Sequence, residues 1–216
     1  MGARVGGGKR RCISMIQIRN VLPQSALAAK PESIPPRLVS HARVEIGQVA
    51  ASAQAFELGT VLGSCVAVCL YDPIRHLGGM NHILLPGKSL KGPSTRYGIH
   101  AMEILINDIM QLGGDRKKLV AKAFGGANVI QALKQMPIGD NNVKFVREFL
   151  STERIPLVAQ RLGGSHAIVV QFRTDTGKAR VRNVDGSRMQ QILRDEKSYK
   201  RAHSADIFYT GEITLF

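Results

Sequence analysis

Cys65 and His82 lie in one short stretch, residues 59–86, and together they have the types and spacing for nucleophilic chemistry. A thiol attacks as its thiolate, so it needs a base to take its proton, and imidazole is the usual one. Thr60 adds a hydroxyl that can orient the imidazole. Gly63-Ser64, directly before the cysteine, allows close backbone approach, so that main-chain N–H groups near Ser64 and Cys65 can receive a developing oxyanion. The set suits a hydrolase that forms a thioester. A plainer reading stands beside it: a cysteine in an apolar strand is usually a packing residue, and a histidine in a strand usually belongs to the core or its rim. Spacing alone favours the plainer reading.

The elements needed to bring the two together are those of a β-hairpin. Residues 65–71 are apolar on both faces, as in a strand covered on both sides. Asp72-Pro73 breaks this run, Gly78-Gly79 reopens it, and residues 80–85 form a second apolar run that Pro86 stops. With the turn centred near Ile74-Arg75, Tyr71 faces Gly78 and Cys65 faces Leu84. His82 is then the diagonal neighbour of Cys65 on the same face. A slip of one residue would send the two to opposite faces.

The strings LGSCVAVCLYDP and GGMNHILLP resemble the signature of the CheD family, the chemoreceptor glutamine deamidases of bacterial chemotaxis. The likeness continues through residues 121–127, 138–143, 162–164 and 176–177, and spans residues 44–184. It implies that Cys65 is the nucleophile and His82 its base. The family's threonine often lies six positions before the cysteine, where this chain has Gly59; Thr60, one residue nearer, is its equivalent through a shortened loop. Asn81, Gly125 and Gly126, inside the shared motifs, are the candidates for substrate contact. A late loop also departs from the family, with Arg161 and Leu162 before Gly163-Gly164 and Ser165, His166 and Ala167 after it. The implied fold is a three-layer α/β/β sandwich, and the implied substrate is the cytoplasmic helical bundle of a methyl-accepting chemotaxis receptor. Some members also bind a chemotaxis phosphatase or act on methyl esters. No metal or organic cofactor is implied.

The residues on their own predict an α+β domain: mixed, largely antiparallel sheets and two main helices. One helix is expected from Ser94 or Thr95 to about residue 112, with Ile99, Met102, Ile106, Ile109 and Met110 as its buried stripe. The other is capped by Asn141 or Asn142 and buries Val143, Val146, Phe149 and Leu150. Strands are expected at residues 44–49, 55–58, 119–124, 157–160, 166–172 and 179–184. Gly125-Gly126 matches no nucleotide-binding glycine pattern and reads as a tight strand-to-helix turn. His166 is a rival base without support from the family.

At 216 residues the chain suits one domain with appendages. We divide it into a basic flexible arm (1–40), the deamidase-like domain (41–185) and a basic extension (186–216). The extension is expected to be helical over 189–200 and to end in an edge strand over 206–216. Cys12, Cys65 and Cys69 have no zinc-like spacing. At ~3.3 Å per residue, Cys65 and Cys69 sit about 13 Å apart along a strand, too far to bridge, which fits a reducing cytoplasm. No apolar run approaches the ~20 residues of a membrane span. A cytoplasmic protein is expected, associated with receptor arrays at the inner membrane.

The formal net charge of +14 points to acidic partners. Residues 1–40 carry a net +6 and residues 173–203 a net +5, so the excess sits on the flanks. A binding protein that uses those flanks to hold receptors or nucleic acid is the second reading. The lack of a nucleic-acid motif and the few aromatics available to stack bases argue against nucleic acid. Salt-dependent DNA binding would favour that reading, whereas loss of deamidation on thiol alkylation favours the enzyme.

Overall fold

A computed structural model of the protein describes residues 16–20, 40–85, 93–128, 138–184, 194–196 and 198–199. Among the described residues, two sheets and two long helices form three layers. The first sheet has the strand order β1-β3-β6-β5-β7-β8. Its strands are β1 (Ile16–Asn20), β3 (Gln48–Ser52), β5 (Val66–Asp72), β6 (Leu77–Ile83), β7 (Val120–Gly125) and β8 (Leu157–Leu162). The second sheet runs β10-β9-β4-β2, from β10 (Ala179–Asn183), β9 (Ile168–Arg173), β4 (Phe56–Leu62) and β2 (Ser40–Arg43). All pairings are antiparallel except β7 with β8 and β2 with β4. This is the expected three-layer α/β/β sandwich.

The first sheet is the middle layer, which explains why β5 and β6 are buried at every position. Val66, Val68, Leu70 and Ile83 face helices α1 (Pro93–Gln111) and α2 (Ile138–Thr152). Cys65, Ala67, Cys69 and Met80 face the second sheet. On α1 the fully buried stripe is Met102, Leu105, Ile106 and Ile109, each worth about 1.5–3 kcal/mol of hydrophobic burial. Ile99 and Met110, expected in that stripe, lie at its edges and are 42% and 39% exposed.

The hairpin has the anticipated register, with Tyr71 opposite Gly78 and Ala67 opposite His82. Asp72 holds its turn: one carboxylate oxygen accepts from the N–H groups of Ile74 and Arg75, the other from Asp115.

Other boundaries differ from expectation. A turn at Ile46-Gly47 interrupts the strand expected at 44–49 and separates β2 from β3. Gly47 adopts φ +82, which glycine tolerates at no steric cost. Residues 16–20, inside the stretch read as a flexible arm, pair as β1 with the outer edge of β3, whose N–H and C=O groups need partners. Helix α2 begins at Ile138, so Asn141 and Asn142 lie within it and do not cap it. The edge strand expected at 206–216 lies outside the described residues.

Candidate active site

Cys65 stands where the chain passes from one sheet to the other. Strand β4 ends at Leu62 in the second sheet, Gly63-Ser64-Cys65 makes the crossing, and β5 begins at Val66 in the first. Two main-chain bonds from the loop after β7 fix this crossing: Gly126 N–H donates to Cys65 O at 2.7 Å and Ala127 N–H to Gly63 O at 2.8 Å. A Cβ on Gly125 would lie 2.2 Å from Cys65 O, and the residue has φ +104. Gly125 and Gly126, expected to contact substrate, lie against this crossing: Gly125 packs on Cys65 O and Gly126 holds it by its N–H.

His82 reaches the same layer from β6. Opposite Ala67, it faces the second sheet and is 3% exposed. Strand β4 alternates buried and half-buried positions, which turns Thr60 inward and Gly59 out of that layer. Thr60 Oγ1 lies 2.8 Å from His82 Nδ1 and 2.7 Å from Val44 O, and His82 Nδ1 is 3.1 Å from Val44 O.

The tautomer follows from donor counting. Val44 O only accepts, so the Thr60 hydroxyl donates its one proton there and its oxygen accepts from Nδ1–H. The lone pair is left on Nε2. That nitrogen is buried and has no hydrogen-bond partner among the described residues, and His82 lines one narrow cavity together with Cys65, Val61 and Arg43. Burial lowers the His82 pKa to about 4, with the Arg43 charge adding to the effect against a raising contribution from Val44 O. Near neutral pH the ring is therefore uncharged and able to accept a proton.

Two residues missed in the sequence complete the surroundings. Glu196 accepts from Ser64 N–H at 2.8 Å and from the Ser64 hydroxyl at 2.7 Å, and the Cys65 thiol donates to it at 3.4 Å. Asn142 accepts from Leu85 N–H at 2.9 Å and donates to Ser64 O at 2.8 Å, tying α2 to both arms of the site. The asparagines following Gly139 signalled a helix start, which concealed this bridging role.

Other expected residues lie elsewhere. Asn81 alternates with His82 and points to the helix layer, where Oδ1 accepts from Val68 N–H and Nδ2 reaches Met102 Sδ; it supports β5 and is not in the cavity. His166 bonds to Ser165 and lines a separate cavity with Arg161 and Gly163. Neither Cys65 nor Cys69 is in a disulfide, and burial pushes the Cys69 thiol far up, with Lys122 opposing.

Residues 84–183 match the family described as CheD chemotactic sensory transduction. That span begins after Thr60, Cys65 and His82. A probable chemoreceptor glutamine deamidase CheD of Stenotrophomonas maltophilia (strain K279a) is 43% identical over 160 residues, 74% of this chain and 80% of the relative. This chain belongs to the CheD family. A probable chemoreceptor glutamine deamidase CheD of Xanthomonas euvesicatoria pv. vesicatoria (strain 85-10) is 44% identical with the same coverage. The probable chemoreceptor glutamine deamidase CheD 1 of Shewanella oneidensis is 41% identical over 175 residues, 79% of this chain and 84% of the relative. Among the described residues of this CheD-family chain, no helix is long and apolar enough to cross a membrane.

Proposed function

We propose that this protein hydrolyses glutamine side chains of methyl-accepting chemotaxis receptors to glutamate, with Cys65 as nucleophile. The observation that carries the reading is His82 Nε2, buried in the cavity of Cys65 without a hydrogen-bond partner among the described residues, while Nδ1 is fixed by Thr60 and Val44. The relatives' names support the reaction class and the substrate.

His82 Nε2 takes the thiol proton as the sulfur bonds to the carboxamide carbon, and the carbonyl oxygen takes the negative charge. Ser64 N–H, already turned toward the Glu196 carboxylate, receives that oxygen; one such donor is worth roughly 10²–10³ in rate. The imidazolium passes its proton to the departing nitrogen, the C–N bond breaks, and ammonia leaves a thioester. Water then loses a proton to Nε2 and attacks the thioester carbon. The thiolate departs, regains the proton, and glutamate is released. Proton transfer by a positioned base contributes about 10²–10⁴. Thr60 keeps the lone pair on Nε2 through both halves of the reaction.

Basic flanks would steer the protein to an acidic receptor bundle, and the cytoplasmic substrate places the reaction in the cytoplasm. The test is peptide mass spectrometry of a purified chemoreceptor cytoplasmic fragment incubated with the protein. Amide-to-acid shifts at particular glutamines, absent with Cys65→Ala, are expected. No shift on any of several receptors, from folded protein with an alkylatable Cys65, overturns the reading.

A further inference from the structure

Residues 194–196 and 198–199 are helical and lie against the site. Glu196 is 6% exposed, and a buried carboxylate is costly unless it is hydrogen-bonded. Its partners are the groups that the reaction uses: Ser64 N–H and Cys65 Sγ on Oε1, and the Ser64 hydroxyl on Oε2. Asp195 lines the same cavity as Cys65, His82 and Arg43. Three residues further on, the Tyr199 and Tyr97 phenols bond at 2.8 Å. The Tyr199 oxygen also lies 2.8 Å from where a Cβ on Gly47 would sit. The segment is thus seated at two points, one of them the nucleophile.

A glutamate so placed has the position of a reaction product. A glutamine in the same place would put its carbonyl oxygen on Ser64 N–H and its NH₂ group toward Ser64 Oγ, because a hydroxyl can accept as well as donate. We propose that Glu196 is an internal product analogue, carried on a helical segment, that occupies the subsite for the substrate's side chain, and that Ser64 reads that side chain through its N–H and hydroxyl. The identity of the substrate rests on the deamidase reading; the occupancy does not. A receptor glutamine must displace Glu196, so its apparent affinity is reduced by the fraction of molecules with an open site.

The test uses the full chain, as wild type, Glu196→Ala and Tyr199→Ala, with thermal unfolding to establish that each is folded. Tyr199→Ala loosens the segment at its second seat while keeping the Glu196 carboxylate and Ser64, and it serves where Glu196→Ala does not fold. The first readout is the rate at which iodoacetamide alkylates Cys65, followed on its peptide. An acceleration on the order of fivefold is expected in both variants if about a fifth of wild-type molecules are open; an unchanged or slower rate overturns the proposal. The second is steady-state deamidation of a purified chemoreceptor cytoplasmic fragment, where KM should fall with kcat nearly unchanged. Active wild type with no change of KM in the variants overturns the proposal and leaves the deamidase reading standing. Faster alkylation with no deamidation by any of the three proteins upholds the occupancy and overturns the deamidase reading.

Discussion

His82→Gln removes one proton-binding site from the middle of the molecule, and its effect on acid stability can be worked out in advance. Burial holds the folded-state pKa at about 4, against an ordinary 6.5. Between those values the unfolded chain binds a proton that the folded chain refuses, so stability rises with pH across the window and is lost as pH falls from 6.5 toward 4. The linkage integral from pH 7.5 to 4.5 gives a loss of about 2.5 kcal/mol from this group. Other groups titrate too, but they are common to wild type and variant. Urea unfolding at the two pH values should therefore show wild type losing about 2.5 kcal/mol more than His82→Gln. The glutamine keeps a donor for Thr60, so the comparison is not dominated by an orphaned hydroxyl. Equal losses, or a greater loss in the variant, would refute the assignment of a neutral resting imidazole. With it would fall the donor count that leaves the lone pair on Nε2.

Thr60→Val should lower kcat for receptor deamidation by roughly 10–100-fold, the equivalent of about 1.4–2.7 kcal/mol, while the fold is retained. Thr60→Ser should restore most of it, since only the hydroxyl holds Nδ1–H, and no rescue would sink the orienting role. Asn142→Ala leaves Leu85 N–H and Ser64 O without their partner, a cost of about 2–4 kcal/mol in chemical denaturation; a loss below about 1 kcal/mol would show that water replaces the amide. Gly125→Ala puts a Cβ 2.2 Å from Cys65 O at φ +104. It should destabilise the domain by more than about 2 kcal/mol, and a thermal midpoint unchanged from wild type would contradict the clamp. Under native alkylation Cys69 should stay unlabelled, because burial keeps its thiol protonated; peptide mapping that finds Cys69 modified before Cys65 would refute this.

What could be read in advance depended on distance along the chain. The hairpin was legible because Asp72-Pro73 and Gly78-Gly79 punctuate it, and a period of two then fixes every facing. The same parity separates His82, which faces the second sheet, from Asn81, which faces the helices; the shared motif suggested both as site residues, and only one is in the cavity. Thr60 follows the same rule, since the alternation of β4 turns it inward and Gly59 out of the layer. Position relative to the pleat decides which side chain can reach the imidazole, more directly than a count of residues from the cysteine.

The parts that stayed hidden are contacts between elements far apart in sequence. Glu196 meets Cys65 across 131 residues and sits in the stretch read as a basic extension packed on or flanking the domain, whose charge gave no sign of a buried carboxylate. Asn142 bonds to Ser64 across 78 residues and had a local explanation as a helix cap. In both cases a local pattern accounted for the residue well enough to conceal a long-range partner. Cys65 stands at the junction of the two sheets, where Thr60 from one bonds to His82 from the other. At that junction the main-chain groups of Gly63, Ser64 and Cys65 fall outside either strand ladder and must find partners elsewhere. Gly126, Ala127, Asn142 and Glu196 are those partners. The Glu196 carboxylate also accepts from the Cys65 thiol at 3.4 Å, and that contact is what distinguishes a proposed occupant of the substrate subsite from a partner that merely satisfies the backbone.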